Sequence, residues 1–392
     1  MNNPLKYTCL FGGGAIRGLA YIGTIRALEE LGIEYDIIGG SSVGSIFATL
    51  LACGYKSYEL ENLFIKVNFD LFKDIHLGFG KGIALSKGEI FLDWLNELIE
   101  RKTEDSSLKK LTFKDLEKDL VIITTNLKKF NTQEFSKEKT PDFEIAKAIR
   151  ISSSMPGLMT PYKYGDAELV DGDLQKASPM WRLSETLKNS KSRILEFRLE
   201  GDSRNNNSNP IAFINQIYSC VTDVATEFVS EIYGQNDRFD CLRLNTGDIF
   251  FADFNLDKDS RRKLINSGYE QTMKYFKEIL PRKKEKLIEV YAKAYNFLKQ
   301  ANKGLRSGNV EEVQWWFGDL FILLCENKEV VDPLIYKQIL ELKNLISDST
   351  TTVLFFYSKF KGQKKLEDAM KEVLNTVEER ITDLKLYLQN LP

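Results

Sequence analysis

The sequence predicts an α/β domain built on a mainly parallel sheet, followed by a helical region. Three observations predict it. Two strand–glycine–helix units open the chain, short apolar runs of strand type recur up to about residue 244, and beyond Pro281 only a helical period remains. The first unit is the apolar run Tyr7–Phe11, the cluster "GGGAIRG", and a helix whose apolar positions Leu19, Ile22, Ile25, Leu28 and Leu31 fall at helical spacing before Gly32. The second is Tyr35–Ile38, the turn "GGSSVG", and a helix over Val43–Ala52 that stops at Gly54.

Further along, helical patterns cover Tyr58–Val67 and Glu89–Arg101, joined by the glycine-rich "LGFGKGIALSKG". Strands are predicted at Leu120–Thr125, Arg193–Leu199 and Phe239–Leu244, and helices at Ile211–Ile232 and Asp257–Ile279. Between the first two strands, "ISSSMPGLMTPYKYGDAELVDGD" is dense in turn-formers. After Pro281, Gly304, Gly308 and Pro333 mark the expected helix breaks. The expected division is a domain over residues 1–280 and a helical extension over 281–392.

Composition narrows the function classes. With 54 Lys and Arg against 56 Asp and Glu, and the two signs interleaved, no field argues for nucleic acid. The five cysteines include no C-x-x-C pair, so neither a zinc site nor a disulfide framework is expected, and free thiols suit a reducing compartment. The N-terminus shows no basic head followed by an apolar run, and the longest apolar stretch, Ser45–Cys53, falls short of the ~20 residues that span a bilayer. A cytoplasmic protein without metal or cofactor is the expectation.

The chemistry lies in the two glycine turns. Gly40-Ser41-Ser42-Val43-Gly44 fits G-x-S-x-G in one frame, which makes Ser42 the candidate nucleophile and Ser41 a spacer. The alternative reading is a serine-rich helix cap. The first turn fails as a dinucleotide fingerprint, because Arg17 stands at the last glycine, and fails as a phosphate loop, because Leu19 and Ala20 follow Gly18. A row of glycine N–H groups can instead bind a transient oxyanion. The base is the missing part. The single histidine, His76, sits in "DIHLGFG" and precedes the candidate acid in the chain, so a carboxylate is favoured: Asp171 in "LVDGDLQKASP", with Asp173 as its competitor.

Taken in order, "GGGAIRGLAYIGTIRALEELGI", "GSSVG", "ISSSMPGLMTP" and "LVDGD" resemble the patatin-like phospholipases, with Pro179 at the turn after the aspartate and "FFADFNLDKDSRRKLINSGY" similar to the last helix and its lead-in. The resemblance runs from about Tyr7 to Phe276. It implies a patatin-like three-layer hydrolase fold with a mainly parallel sheet, here with an all-α C-terminal extension, and a Ser-Asp dyad acting on lipid acyl esters. On that resemblance Ser42 is the nucleophile, Asp171 the base, and Gly12, Gly13, Gly14 and Arg17 form the oxyanion loop, with no histidine required.

The chain departs from the family's usual D-G-G or D-G-A at Asp173, expected to point to solvent, and from a common asparagine at Ala177. The expected partner is a phospholipid membrane surface, met peripherally at the inner face, with "HLGFGKGIALSKG" as the candidate flap. A homo-oligomer and a small-molecule activator acting through the extension are open partners. Aromatic clusters at Trp315–Phe317 and Val353–Phe360 read first as packing and second as interfacial. The expected activity is a calcium-independent phospholipase A-type hydrolase. An acyltransferase on the same dyad and a non-catalytic lipid-binding protein are the rivals.

Overall fold

A computed structural model describes residues 6–72, 86–102, 110–174, 193–201, 217, 220–221, 236–250, 253–354 and 357–392. The chain forms two compact units, one over residues 6–234 and 238–275 and the other over residues 276–392 with Asn236 and Asp237. The first holds the sheet. Its strands are β1 (Lys6–Phe11), β2 (Glu34–Ser41), β3 (Asp119–Asn126), β4 (Asn131–Ser136), β5 (Tyr162–Tyr164), β6 (Ala167–Val170), β7 (Arg193–Glu200) and β8 (Phe239–Asn245), in the order β5-β6-β3-β2-β1-β7-β8 with β4 also on β3. The β3-β2-β1-β7-β8 run is parallel, while β4, β5 and β6 pair antiparallel.

The predicted strands and opening helices are present, with α1 at Ala20–Glu30, α2 at Val43–Ala52, α3 at Ser57–Lys66 and α4 at Glu89–Glu100. Three strands of this sheet escape the sequence reading. β4 (NTQEFS) is polar, as a partly exposed edge permits, and β5 and β6 are three and four residues long. The segment expected as turns therefore also contains a hairpin, and it begins within the last turn of α5 (Ile145–Ser152).

Register on β3 decides what happens at the site. β2 pairs with it up to Ser41↔Ile123, β6 pairs through Thr125↔Val170, and β4 pairs with Val121–Asn126. Since β4 overlaps both of the others, β2 and β6 share the opposite edge. They run toward each other along that edge, and the next residue of each, Ser42 and Asp171, falls at the level of Thr124. Two strands meeting end to end must both turn away there.

The apolar face under this junction is a line of aromatic contacts. Phe11 stacks on Phe197 at 5.0 Å and meets Tyr21 edge-on at 5.1 Å, and Phe47 links Tyr21 to Phe64. Helix α6 (Lys258–Lys274) packs closely on α1, with Gly268 against the Ala20 carbonyl and Gly23 against the Ile265 carbonyl.

The second unit contains α7 (Leu280–Ser307), α8 (Val310–Glu326), α9 (Pro333–Ser349) and α10 (Gln363–Gln389). Tyr275–Ile279 is a π-helical turn, and Pro281 lies in the first turn of α7, where its missing N–H leaves no hydrogen bond unmade. Gly304 is inside α7, whereas Gly308 caps it and Pro333 opens α9. One hairpin, β9 (Thr350–Leu354) with β10 (Tyr357–Phe360), interrupts the helices. Phe317 is buried and Trp316 packs against the core of this unit, while Trp315 is exposed.

The α1–α6 crossing makes a direct prediction. A Cβ at position 23 would stand 1.8 Å from the Ile265 carbonyl oxygen, so Gly23→Ala must push the helices apart. Overpacking of this kind costs about 1–3 kcal/mol or more. Thermal melts should show a Tm lower by several degrees, at roughly 2–4 °C per kcal/mol; an unchanged Tm would contradict the packing.

Candidate active site

Ser42 stands on a strained turn. Its φ is 49° and ψ −129°, a region that costs a side-chain-bearing residue about 1–3 kcal/mol and persists only where the surroundings enforce it. Gly44 explains the sequence spacing, because a Cβ there would stand 2.0 Å from the Phe11 carbonyl oxygen. The turn is pinned by two serines. Ser45 donates to the Ser42 carbonyl through its N–H at 2.9 Å and its Oγ at 2.6 Å, and Ser152 Oγ accepts the Ser42 N–H at 2.9 Å. Ser152 in turn donates to the Ile123 carbonyl at 2.6 Å, tying the turn to β3.

The aspartate arrives on the same support. The Asp171 N–H donates to the Ser154 carbonyl at 3.0 Å, so the end of α5 and the turn after it hold both Ser42 and Asp171. Arg150, buried on α5, braces that turn from the other side by donating to Ser154 Oγ at 3.1 Å, to the Thr160 carbonyl at 3.0 Å and to the Lys87 carbonyl. Ser152 and Arg150 were not singled out from sequence. Their only signal was their place in and beside "ISSSMPGLMTP".

Asp171 is fully buried, and so is Asp173 at 5 % exposure. The expectation that Asp173 points to solvent is therefore wrong. The one-turn helix Gly172–Leu174 carries the chain across the end of β2, with Gly172 against the Ile123 carbonyl and Ser41 Cβ, and this turns Asp173 inward. Its N–H donates to Asp171 Oδ1 at 2.9 Å. Ser41 is not a spacer either: its hydroxyl donates to Asp173 Oδ1.

The glycine turn sits beside this pair. The Gly12 N–H donates to the Phe197 carbonyl at 3.0 Å, as part of the sheet, and the Tyr21 hydroxyl donates to the Gly12 carbonyl at 2.9 Å. The Asp173 carboxyl lies against Gly13, where a Cβ would stand 1.4 Å from its Oδ2. Gly14 has φ 146°, and its carbonyl accepts the Arg17 N–H at 3.1 Å. Arg17 is buried, and its Nε donates to the Ile249 carbonyl at 2.7 Å, which anchors the loop after β8. The structure thus brings Ser42, Asp171 and Gly13 together, while Arg17 is a brace behind them. His76, the candidate flap around it, Ala177 and Pro179 lie outside the described residues.

Comparison with known proteins bears on this geometry. The profile described as patatin-like phospholipase matches residues 10–181, which span both glycine turns and both aspartates. An uncharacterized protein of Acanthamoeba polyphaga mimivirus is 30% identical over 277 residues, covering 68% of this chain and 92% of that one. The chain belongs to the patatin-like phospholipase family. A relative from Invertebrate iridescent virus 6, named probable lipid hydrolase, is 28% identical over 182 residues, covering 44% of this chain and 61% of its own. The crystal structure of VipD from Legionella pneumophila shares the fold, with a TM-score of 0.51 over 98% of this chain and 91% of that one at 16% identity.

The buried carboxyl pair sets a pH dependence. Burial first, and the Asp171 carboxylate second, hold the Asp173 carboxyl well above the usual range, against the opposing pull of Ser41, Arg198 and the Gly13 N–H. The unfolded chain loses this proton near pH ~3.9, whereas the native state keeps it to higher pH. Over that window the native state binds the extra proton, so stability falls as pH rises. Asp173→Asn removes this slope, and its Tm should gain on the wild type steadily from about pH 4 upward. Parallel Tm curves for the two proteins would contradict the assignment.

Proposed function

We propose that this chain is a lipid acyl hydrolase of phospholipase A type, with Ser42 as nucleophile and Asp171 as base. The observation that carries the reading is the end-to-end meeting of β2 and β6, which sets a strained, pinned serine at the same level of β3 as a buried carboxylate. In the proposed reaction Ser42 Oγ attacks the acyl carbonyl carbon and its proton passes to Asp171. The carbonyl becomes a tetrahedral oxyanion beside the glycine turn. Collapse expels the lysolipid alkoxide, which takes the proton from Asp171 and leaves acyl-Ser42. Water, deprotonated by Asp171, then attacks the acyl group, and the fatty acid leaves as Ser42 recovers its proton.

A serine-rich helix cap would not need φ 49°, and Ser42 makes no side-chain cap hydrogen bond to its helix. This supports the nucleophile reading over a passive lipid-binding scaffold. A scaffold of that kind would bind vesicles without turnover and be indifferent to Ser42→Ala.

The surface proposed to meet lipid is the tip of the β3–β4 hairpin. No described helix is long and apolar enough to cross a membrane. The tip extends roughly 10–15 Å beyond Thr124, at about 3.4 Å per residue, on the side where Ser42 and Asp171 lie. There Phe130 is 82 % exposed at φ 50°, next to the exposed Lys128 and Lys129, whose N–H groups both fold onto Asn126 Oδ1 at 3.0 and 3.2 Å. An aromatic side chain held outward among cations suits an anionic lipid–water interface.

Two assays test the reading. Fatty-acid release from mixed phospholipid vesicles should fall by about 10³-fold or more in Ser42→Ala and in Asp171→Asn. It should persist in His76→Ala and in EDTA, because the dyad moves the proton and N–H groups meet the charge without a metal. Retained release in either dyad variant, or its loss in EDTA, would overturn the mechanism. Phe130→Ser should lower hydrolysis of anionic vesicles several-fold while leaving a monomeric soluble ester unaffected. Equal loss on both substrates would place Phe130 in the fold rather than at a membrane.

A further inference from the structure

The proposed chemistry needs the glycine-turn N–H groups for the oxyanion, yet the structure shows one of them already engaged by the chain itself. A Cβ at position 13 would stand 1.4 Å from Asp173 Oδ2 and 3.0 Å from Ser42 Cβ. The carboxyl oxygen therefore occupies the space that a side chain at position 13 would fill, immediately beside the nucleophile. Asp173 accepts the Ser41 hydroxyl on Oδ1, while its own N–H is tied to Asp171 Oδ1 at 2.9 Å. The Gly12 N–H belongs to the sheet through Phe197. The first N–H of the predicted oxyanion row is thus committed, and the space beside the second glycine is filled.

A carboxyl oxygen and a tetrahedral oxyanion make the same demand on a backbone N–H. We propose that Asp173 is a built-in cap on the anion site of the glycine turn, its carboxyl filling the space beside Gly13 that the oxyanion must take and withdrawing before Ser42 is acylated. This rests on Ser42 being the nucleophile. Asp173 acts through Gly13 and is a gating residue, not a reacting group. Its hold is graded. Burial and the neighbouring Asp171 favour the neutral carboxyl, a weaker acceptor than a carboxylate. A full charge developing on the substrate can displace it, whereas an uncharged ground-state carbonyl competes poorly. The cap thus restrains Ser42 toward ligands that develop no charge at this point.

Labelling of the full chain by an alkyl fluorophosphonate reads this step, since Ser42 Oγ bonds to phosphorus and fluoride leaves as the phosphoryl oxygen takes the anion site. Asp173→Ala should label about tenfold faster or more, part of the ~10²–10³ that one oxyanion donor is worth. Ser41→Ala, which frees only the anchor on Oδ1, should label faster by a smaller factor, and it keeps the test decisive if the first variant does not fold. Labelling that depends on Ser42 but is unchanged or slower in the folded variants would overturn the cap alone. Labelling that survives Ser42→Ala would overturn the nucleophile reading and the cap with it.

Discussion

The site depends on one constraint, the collision of two strands on a single edge of β3. β2 and β6 approach each other, and the level of Thr124 is where neither can continue. A parallel strand that must stop and feed a helix makes a sharp turn. Gly44 allows that turn by letting the helix pass against the Phe11 carbonyl. An antiparallel strand that must stop delivers Asp171 to the same point from the other side. Ser152 and the Ser154 carbonyl then fix both arrivals to one support at the end of α5. No long-range device is required to bring the proposed nucleophile and base together. The sheet register does it.

The same economy places two buried carboxyl groups within two residues of each other, and that is where the site is under tension. Two negative charges in one desolvated pocket repel, so one of them holds its proton. Asp173 is that one, and the Ser41 hydroxyl on its Oδ1, with its own N–H on Asp171 Oδ1, gives the neutral group a fixed position. The arrangement links the chemistry to stability, since the proton that quiets the pair is also one that the unfolded chain would have lost.

Much of this was legible in the sequence, for identifiable reasons. The opening strand–turn–helix units announced themselves because buried parallel strands are apolar and their turns need glycine at fixed places. Ser42 could be put forward as a candidate because the turn chemistry allowed few choices and one histidine was badly placed, and Asp171 was preferred to Asp173 through the family resemblance. β4, β5 and β6 were not legible. A polar edge strand and strands of three or four residues carry no usable period, and the decisive register lay in them. Asp173 was misread for a related reason: a charged residue in a glycine turn is ordinarily solvated, and only the path of the chain over the end of β2 turns it inward. The short serines around the elbow gave no warning of their separate tasks.

The central claim is that Ser42 and Asp171 act as one unit, and a double-mutant cycle on fatty-acid release tests it most directly. If they form a dyad, Ser42→Ala combined with Asp171→Asn should lose no more kcat/KM than the more damaging single change, because removing either already disables the shared step. Losses that multiply, with the double variant falling by the product of the two singles, would show independent contributions and contradict the account.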